Sequence, residues 1–124
     1  MDQNTVLIVG SIALDSIETP SDKRTNVIGG STTYSLIAAS RFSKTSIVGI
    51  VGSDFPKEGL KLYETYADNL EDLKINEGST FRWGGKYHSN WDDRDTLYTD
   101  MGVFLDFNPV LSEQNQKRTH ILLA

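Results

Sequence analysis

The stretch NVIGGSTTYSLIAASRF, residues 26–42, decides the fold because a glycine pair runs directly into an apolar, alanine-rich segment. A glycine turn that enters a helix N-terminus is a frequent anion site. A phosphate-binding loop of the Walker A type, however, needs a lysine after its last glycine, and none follows Gly30. Gly29 and Gly30 are therefore either a tight strand-to-helix turn or a place where the backbone approaches a ligand closely.

The segments around the glycine pair predict two buried strands and a buried helix. Apolar side chains fall on nearly all faces of a helix over 31–42, which Ser31 or Thr32 is suited to cap. Before it, TVLIVG at 5–10 predicts a buried parallel strand, and RTNVI forms part of a short hairpin. After it, TSIVGIVG at 45–52 predicts a further buried strand.

An amphipathic helix is predicted over 56–69. Asp54 is suited to be its N-cap, with Pro56 in its first turn, and apolar residues then recur at helical spacing. The first 70 residues thus give the order strand, hairpin, helix, strand, helix. This order is typical of an α/β protein with an open parallel sheet.

The apolar period changes to two at Ser79, which predicts a long antiparallel hairpin over 80–106. Its polar tip contains WDDRD, which lacks the ligand spacing of a calcium loop. The aromatic side chains of the hairpin either stack on a sugar or simply pack. Arg82, on the other face, is either a ligand contact or a surface charge. The apolar strand HILLA at 120–124 ends where a connection is expected, so the sequence indicates a truncated protein.

Composition limits the classes of function. The chain has 124 residues, enough for one domain, and carries 12 basic and 17 acidic residues, a net charge of −5. Scattered basic residues in an acidic chain argue against nucleic acid as a partner. The sequence shows no leader peptide and no membrane span. It has no cysteine, which fits the cytoplasm.

Asp15 is a candidate ligand residue. It follows the glycine at the end of the first strand by five positions, in the segment GSIALD. In an α/β sheet this position lies near the edge where ligands bind. Asp15 is therefore either a turn-capping residue or an acceptor for the hydroxyl groups of a ligand.

These segments together resemble the N-terminal half of the ribokinase-like, or PfkB-type, carbohydrate kinases. The resemblance rests on the order of GSIALD, a short hairpin, the glycine pair entering AASRF, then GIVGSDFP and the later hairpin. It implies an incomplete ribokinase-like α/β fold: an open, mostly parallel sheet with flanking helices and a β-hairpin lid. Residues 1–124 would form a single N-terminal portion of that fold, with lid elements near 12–28 and 80–106.

The resemblance also implies a substrate site. Asp15 would accept hydrogen bonds from substrate hydroxyls, and the backbone of Gly29 and Gly30 would lie against the substrate. Tyr34 stands where the family often has an asparagine that contacts the sugar. Together with Arg82, these residues are the candidate substrate-binding set. The substrate would be a small sugar or a nucleoside.

The family's catalytic base lies in a Gly-Ala-Gly-Asp motif, which is absent from this sequence. We therefore expect no catalytic residue and no metal site in this chain, and ATP and Mg²⁺ only in a full-length enzyme. The predicted function is the substrate-site and lid portion of an ATP-dependent sugar kinase, inactive alone, cytoplasmic and homodimeric. The alternative is a non-enzymatic binding domain that keeps part of the fold. A dinucleotide-binding oxidoreductase is rejected because the glycine fingerprint after the first strand is missing.

Overall fold

The computed structural model describes residues 4–124. The prediction that the sequence has no leader peptide concerns in part the first three residues, which lie outside the described residues. The described part contains eight strands, three α-helices and one 3-10 helix. In chain order these are β1 Thr5–Val9, β2 Ala13–Glu18, β3 Lys23–Gly29, α1 Ser31–Ala39, β4 Lys44–Gly52, α2 Lys57–Tyr66, β5 Leu73–Asn76, β6 Arg82–Tyr87, β7 Arg94–Asp100, the 3-10 helix Gly102–Asp106, α3 Glu113–Gln116 and β8 His120–Leu123.

The first sheet is parallel throughout, with the strand order β5-β4-β1-β8. Its two central strands are continuous runs rich in β-branched residues, as expected of strands covered on both faces. Leu7 and Ile8 in β1 and Ile47, Ile50 and Val51 in β4 are at most 1% exposed. The predicted open parallel sheet is therefore confirmed, with one strand more than the sequence indicated.

Helices α1 and α2 close the core. Tyr63 of α2 is fully buried in the same cluster as Leu36 of α1 and Phe55, whose ring stacks on that of Tyr63 at 5.7 Å between centroids. The hydroxyl groups of Tyr63 and Thr33 lie 2.7 Å apart, which joins the two helices by a buried hydrogen bond. Burial raises the pKa of Tyr63 to about 12, so this hydroxyl keeps its proton at neutral pH.

The second sheet has the order β3-β2-β6-β7. It consists of two antiparallel hairpins, β2–β3 and β6–β7, whose inner strands pair in parallel. It is anchored at the carboxyl ends of β1 and β4. β2 starts after the short connection 10–12, and at the end of β4 the Gly52 amide donates to Thr80 Oγ1 at 2.9 Å.

Asp54 has a different role from the predicted helix cap. The N-cap of α2 is Pro56, and no side chain caps this helix. Asp54 instead accepts hydrogen bonds from the Thr80 amide and hydroxyl at 2.8 and 2.7 Å, and from the Arg82 guanidinium at 2.5 Å. Burial alone would raise the pKa of Asp54, but these hydrogen bonds outweigh it and lower the pKa. Asp54 thus fastens β6 to the carboxyl edge of the first sheet.

Helix α1 is shorter and less buried than predicted. It ends at Ala39, and its N-cap is Gly30 without a side-chain hydrogen bond, so the prediction of a Ser31 or Thr32 cap was wrong. Tyr34 is 60% exposed, although the pattern predicted a helix buried on nearly all faces. Besides Leu36, the buried face carries Thr33, whose hydroxyl donates to the Gly29 carbonyl at 2.7 Å.

The second half of the predicted hairpin is also shorter. β7 ends at Asp100, and the 3-10 helix replaces the expected strand to residue 106. The chain turns at Gly102, whose φ of 50° is in the left-handed region, and the Val103 amide then donates to the Ser79 carbonyl at 2.8 Å. Val103 is buried by this turn while Leu105 stays exposed. The alternation of apolar residues over 101–106 predicted a strand that the structure does not have.

The carboxyl-terminal strand is where predicted, but it is exposed. β8 forms an edge of the first sheet beside β1, and all four of its residues are exposed, not buried as the apolar run suggested. Polar contacts hold the residues just before β8: the Arg118 guanidinium donates to Asp68 Oδ2 at 2.8 Å and to Ser46 Oγ at 2.7 Å.

None of the helices in residues 4–124 has both the length and the apolar character needed to cross a membrane.

Candidate functional site

A cleft of about 620 Å³ opens between the second sheet and the start of α1. It lies near the carboxyl end of β1, on the side where the glycine pair enters the helix. The lining residues come from β2, from the turn into α1, from β6 with the residue before it, and from β7: Ala13, Asp15, Ile17, Gly30, Ser31, Tyr34, Phe81, Trp83, Tyr87 and Arg94. Alternate residues of β2 and β6 therefore present one face of the second sheet to this cleft.

Asp15 is the acidic group of the cleft. It lies within β2, opposite Val27 in β3 and beside Trp83 in β6, so it belongs to the second sheet and not to the edge of the first. Its side chain is half-buried, and burial raises the pKa of its carboxyl above the ordinary value. No hydrogen bond or charge within residues 4–124 offsets that burial. A half-buried carboxylate without a donor is poised to accept hydrogen bonds from a ligand.

The glycine pair is required where it stands, for two separate reasons. A side chain at Gly29 would overlap Oδ2 of Asp15, so the glycine leaves the space that the Asp15 carboxylate occupies. Gly30 has a φ of 89°, and a side chain there would overlap the backbone at Ser11 and Ile12. Both overlaps are with the protein itself, so they support the tight strand-to-helix turn, and the approach of this backbone to a ligand stays a prediction.

An aromatic wall lies beside the carboxylate, on the same face of the second sheet. Phe81, Trp83 and Tyr87 lie at alternate positions, and all three line the cleft. The Trp83 indole rests over Gly85, where a side chain would overlap the ring. The Arg94 guanidinium lies 5.2 Å from the centre of the Trp83 ring, at a cation–π distance. The cleft thus combines one carboxylate, one guanidinium and several flat apolar surfaces.

The structure brings together most, but not all, of the residues predicted from the sequence. Asp15, Gly30 and Tyr34 line the cleft, and Gly29 lies directly beneath the Asp15 carboxylate. Arg82 does not line it. Its guanidinium is held by Asp54 and by Asn26 Oδ1, each at 2.5 Å, so it ties the second sheet to the first.

Two polar residues of the cleft were not predicted as ligand contacts. The sequence indicated Ser31 only as a candidate helix cap. In the structure its hydroxyl lies 3.2 Å from that of Ser11. Arg94 was hidden in the acidic tip segment WDDRD. The register of the β6–β7 hairpin carries the missing signal, because Arg94 pairs with Tyr87 and so shares its face of the sheet.

The acidic tip of the hairpin forms its own local contacts. His88 Nε2 lies 3.0 Å from Asp95 Oδ2, and Asn90 donates to Asp93 at 2.9 Å. Across residues 4–124 no three His, Cys, Asp or Glu side chains converge as a metal site requires. These contacts make the tip a hydrogen-bonded turn.

No protein-family model matches this sequence, and no curated protein matches it significantly. Solved structures do resemble the fold. The chain is similar to an archaeal nucleoside kinase of the ribokinase family from Methanocaldococcus jannaschii, with a TM-score of 0.72 and 15% identity, over 97% of this chain and 44% of that one. It is also similar to the ribokinase from Arabidopsis thaliana solved with ribose and ATP, with a TM-score of 0.70 and 16% identity, over 99% of this chain and 45% of that one.

A third similar structure is the nucleoside kinase from Burkholderia thailandensis solved with inosine. The TM-score is 0.68 at 16% identity, over 82% of this chain and 37% of that one. The chain thus spans less than half the length of these kinases. At such low identity the comparisons establish the fold alone. They confirm the resemblance seen in the sequence: this chain has a partial ribokinase-like α/β fold.

Proposed function

We propose that this chain forms the acceptor-substrate site and lid of an ATP-dependent sugar or nucleoside kinase of the PfkB type, with the second sheet as the lid. The observation that carries the proposal is the Asp15 carboxylate, half-buried in a cleft between that sheet and α1, with no hydrogen-bond donor among residues 4–124. The fold of the chain, which ribokinases and nucleoside kinases share, is consistent with this role.

The chemistry of the cleft suits a ligand with hydroxyl groups. An ionised carboxylate has two oxygens that can each accept hydrogen bonds, and adjacent hydroxyls of a ribose-like ring can donate to both. The aromatic wall gives the apolar face of such a ring something to pack against. The substrate-binding residues we propose are Asp15, Gly29, Gly30 and Tyr34. We exclude Arg82 from this set, because its hydrogen bonds to Asn26 and Asp54 make it a residue that positions β6.

The chain by itself is proposed to bind the acceptor without transferring a phosphoryl group. Phosphoryl transfer needs donors arranged around the transferred group and a base for the attacking hydroxyl. The cleft offers Asp15 as an acceptor and Arg94 as a single, exposed cation, which is too little for a triphosphate. ATP, Mg²⁺ and the catalytic base would belong to the complete enzyme. We further propose a cytoplasmic homodimer that binds neither nucleic acid nor membrane.

Calorimetric titration of the chain with ribose, a hexose panel and nucleosides tests this proposal. At least one of these ligands should bind, and Asp15→Asn should weaken it about 10- to 100-fold, as expected for a hydrogen bond to a charged group. The matched control is Asp106→Asn, an exposed carboxylate outside the cleft, which should leave the affinity unchanged. Equal binding by the wild type and Asp15→Asn would contradict the proposal.

A coupled assay of ADP release tests the second part. No turnover above background should accompany the purified chain with any ligand of the panel, and ATP titration should give no heat of binding. Turnover that follows the chain through purification would show that these residues include a nucleotide site.

A further inference from the structure

A hollow of about 210 Å³ lies at the amino edge of the first sheet, opposite the edge where the second sheet is anchored. Thr5 and Lys44, which pair at the start of β1 and β4, line this hollow, and so does Arg118, just before β8. The other lining residues are Asp68, Gln114 and Lys117. The hollow shares no lining residue with the cleft that contains Asp15, so it is a separate feature of the molecule.

The Arg118 guanidinium is buried and held in place by the fold. The side chain is 4% exposed, and its Nε donates to Asn115 Oδ1 at 3.1 Å. Its Nη2 donates to Ser46 Oγ at 2.7 Å and to Asp68 Oδ2 at 2.8 Å. Asn115 is itself 1% exposed and donates to Asp72 Oδ2 at 2.7 Å. Because the guanidinium is fixed in one orientation, little side-chain entropy is lost when it binds a ligand.

Part of this guanidinium is left without a partner. A guanidinium has five N–H donors, and the three hydrogen bonds from Nε and Nη2 use three of them. The other two belong to Nη1, which forms no hydrogen bond to any group in residues 4–124. Arg118 lines the hollow, so these two donors are left for a ligand there. Charged donors form their strongest hydrogen bonds with anions.

Two lysines add to the positive charge of the hollow. Lys44 and Lys117 are exposed, and within the described part of the chain neither forms an ion pair. The carboxylate of Asp68, which also lines the hollow, is already bound to Arg118. Three cations around this carboxylate, in a chain whose net charge is −5, form a local positive site.

We propose that this hollow binds a phosphate group, either as inorganic phosphate or as the phosphate of a small monoester. A dianion interacts with the three cations more strongly than a monoanion does, and its oxygens accept hydrogen bonds from the guanidinium and from both ammonium groups. A triphosphate fits less well, because the hollow is small and the Asp68 carboxylate repels further negative charge. The site is independent of the proposed function, because it lies at the other edge of the sheet from the cleft.

A backbone-amide NMR titration of the chain with inorganic phosphate tests this site, at an ionic strength kept constant with sodium chloride. Saturable shifts are expected at Lys44, Lys117 and Arg118 at millimolar phosphate, and none at Asp15 in the cleft. The same titration with glycerol 3-phosphate distinguishes the two sources of the group. Tighter binding of the ester identifies a monoester as the ligand, and tighter binding of phosphate identifies the free ion.

Substitutions of the three cations test their roles. Lys44→Gln and Lys117→Gln should each weaken phosphate binding about fivefold, as expected when one unit charge is lost beside an anion in water. Arg118→Lys keeps the charge but removes the guanidinium, and should weaken binding at least as much. Both lysines are exposed, so their substitutions keep the test valid if Arg118→Lys fails to fold. Lys61→Gln, an exposed lysine of α2 outside the hollow, is the matched control and should leave the affinity unchanged.

Three results would overturn the phosphate site: no saturable shifts at millimolar phosphate, shifts that follow ionic strength alone, or equal weakening by Lys61→Gln and by the two lysine variants of the hollow. Binding in the cleft is measured with uncharged sugars and nucleosides. Failure of the phosphate site therefore leaves the proposed function intact, and failure of the cleft to bind an acceptor leaves the phosphate site intact.

Discussion

The fold holds Asp15 at a cost in stability, which is consistent with its proposed role in binding a ligand. Its carboxylate is half-buried, and no residue in the described part of the chain donates a hydrogen bond to it, so the fold opposes its ionisation and burial raises its pKa. A group whose pKa is raised on folding makes the folded state less stable at pH values above that pKa. Asp15→Asn should therefore be as stable as the wild type, or more stable, at neutral pH. Urea unfolding checks this, and a clear loss of stability would show that Asp15 has a structural partner.

The same shift predicts how binding depends on pH. The ionised carboxylate accepts through both oxygens and forms stronger hydrogen bonds with hydroxyls than the protonated acid does, so affinity should be highest above the pKa of Asp15 and fall as the pH drops through it. Because that pKa is raised, the decline should begin above the ordinary carboxyl value of about 3.9. Titrations across the acidic range measure it, with the sugar or nucleoside that binds most tightly. An affinity that stays constant to pH values below about 3.9 would contradict the role of Asp15.

At the residue scale, the sequence predicts which candidate residues share a cleft better than it predicts which residues hold the two sheets together. Asp15, Gly30 and Tyr34 do meet in one cleft, because each has a fixed offset from a strand end or a helix start. Asp54 and Arg82 were interpreted separately, as a helix cap and as a ligand contact or surface charge. Their 2.5 Å ion pair joins residues 28 positions apart, and no local pattern could indicate it.

Among the elements, the attachment of β6 by Asp54 is open to a direct test. Asp54→Asn weakens its hydrogen bonds from Thr80 and Arg82, and hydrogen bonds to charged groups contribute about 1.5–3 kcal/mol. We expect a loss of stability of about that size at neutral pH, measured by urea unfolding. Asp106→Asn, which is exposed, serves as the control and should change stability by less than about 0.5 kcal/mol.

The sign of the pH dependence follows from the lowered pKa of Asp54. A carboxyl whose pKa is lower in the folded protein stabilises it at pH values above the unfolded value of about 3.9. That contribution is lost as the pH falls through the folded pKa. The difference between wild type and Asp54→Asn should therefore shrink in acid. A difference that stays the same at neutral and acidic pH would contradict the ion pair.

Elements with a strong period were predicted, and short or turned ones were not. β1 and β4 are continuous apolar runs, and both are where the sequence places them. β5, with only four residues and an exposed carboxyl half, carries no clear period and was missed. The strand expected to residue 106 fails because Gly102 adopts a left-handed φ and turns the chain. Such a turn depends on contacts with Ser79, which lie outside the local sequence.

For the molecule as a whole, exposed apolar strands predict association. Leu97 in β7 and Leu122 and Leu123 in β8 are 57, 45 and 79% exposed, and both strands lie at sheet edges. Exposed edges of this kind pair readily with a second copy. We expect a homodimer by light scattering at micromolar concentration. Comparing Leu97→Lys with Leu122→Lys identifies the strand, and a monomeric wild type would contradict the prediction.

The overall fold could be predicted from the order of several weak motifs, although no single motif was decisive. The solved structures that share the fold are only 15–16% identical to this chain, so similarity lies in the succession of strands, glycine turns and helices. Which strands pair to form the second sheet was harder to predict from the sequence. The parallel pairing of β2 with β6 joins residues that are 68 positions apart, such as Leu14 and Arg82.

The measurement that tests the central claim most directly is a backbone-amide NMR titration of the chain with the sugars and nucleosides of the panel. The account predicts that at least one of them gives saturable shifts at Asp15, Gly30, Ser31 and Trp83, all in the cleft, and that these shifts are lost in Asp15→Asn. Shifts centred instead on the exposed edge strand at 120–123, or no shifts with any of these ligands at millimolar concentration, would contradict it.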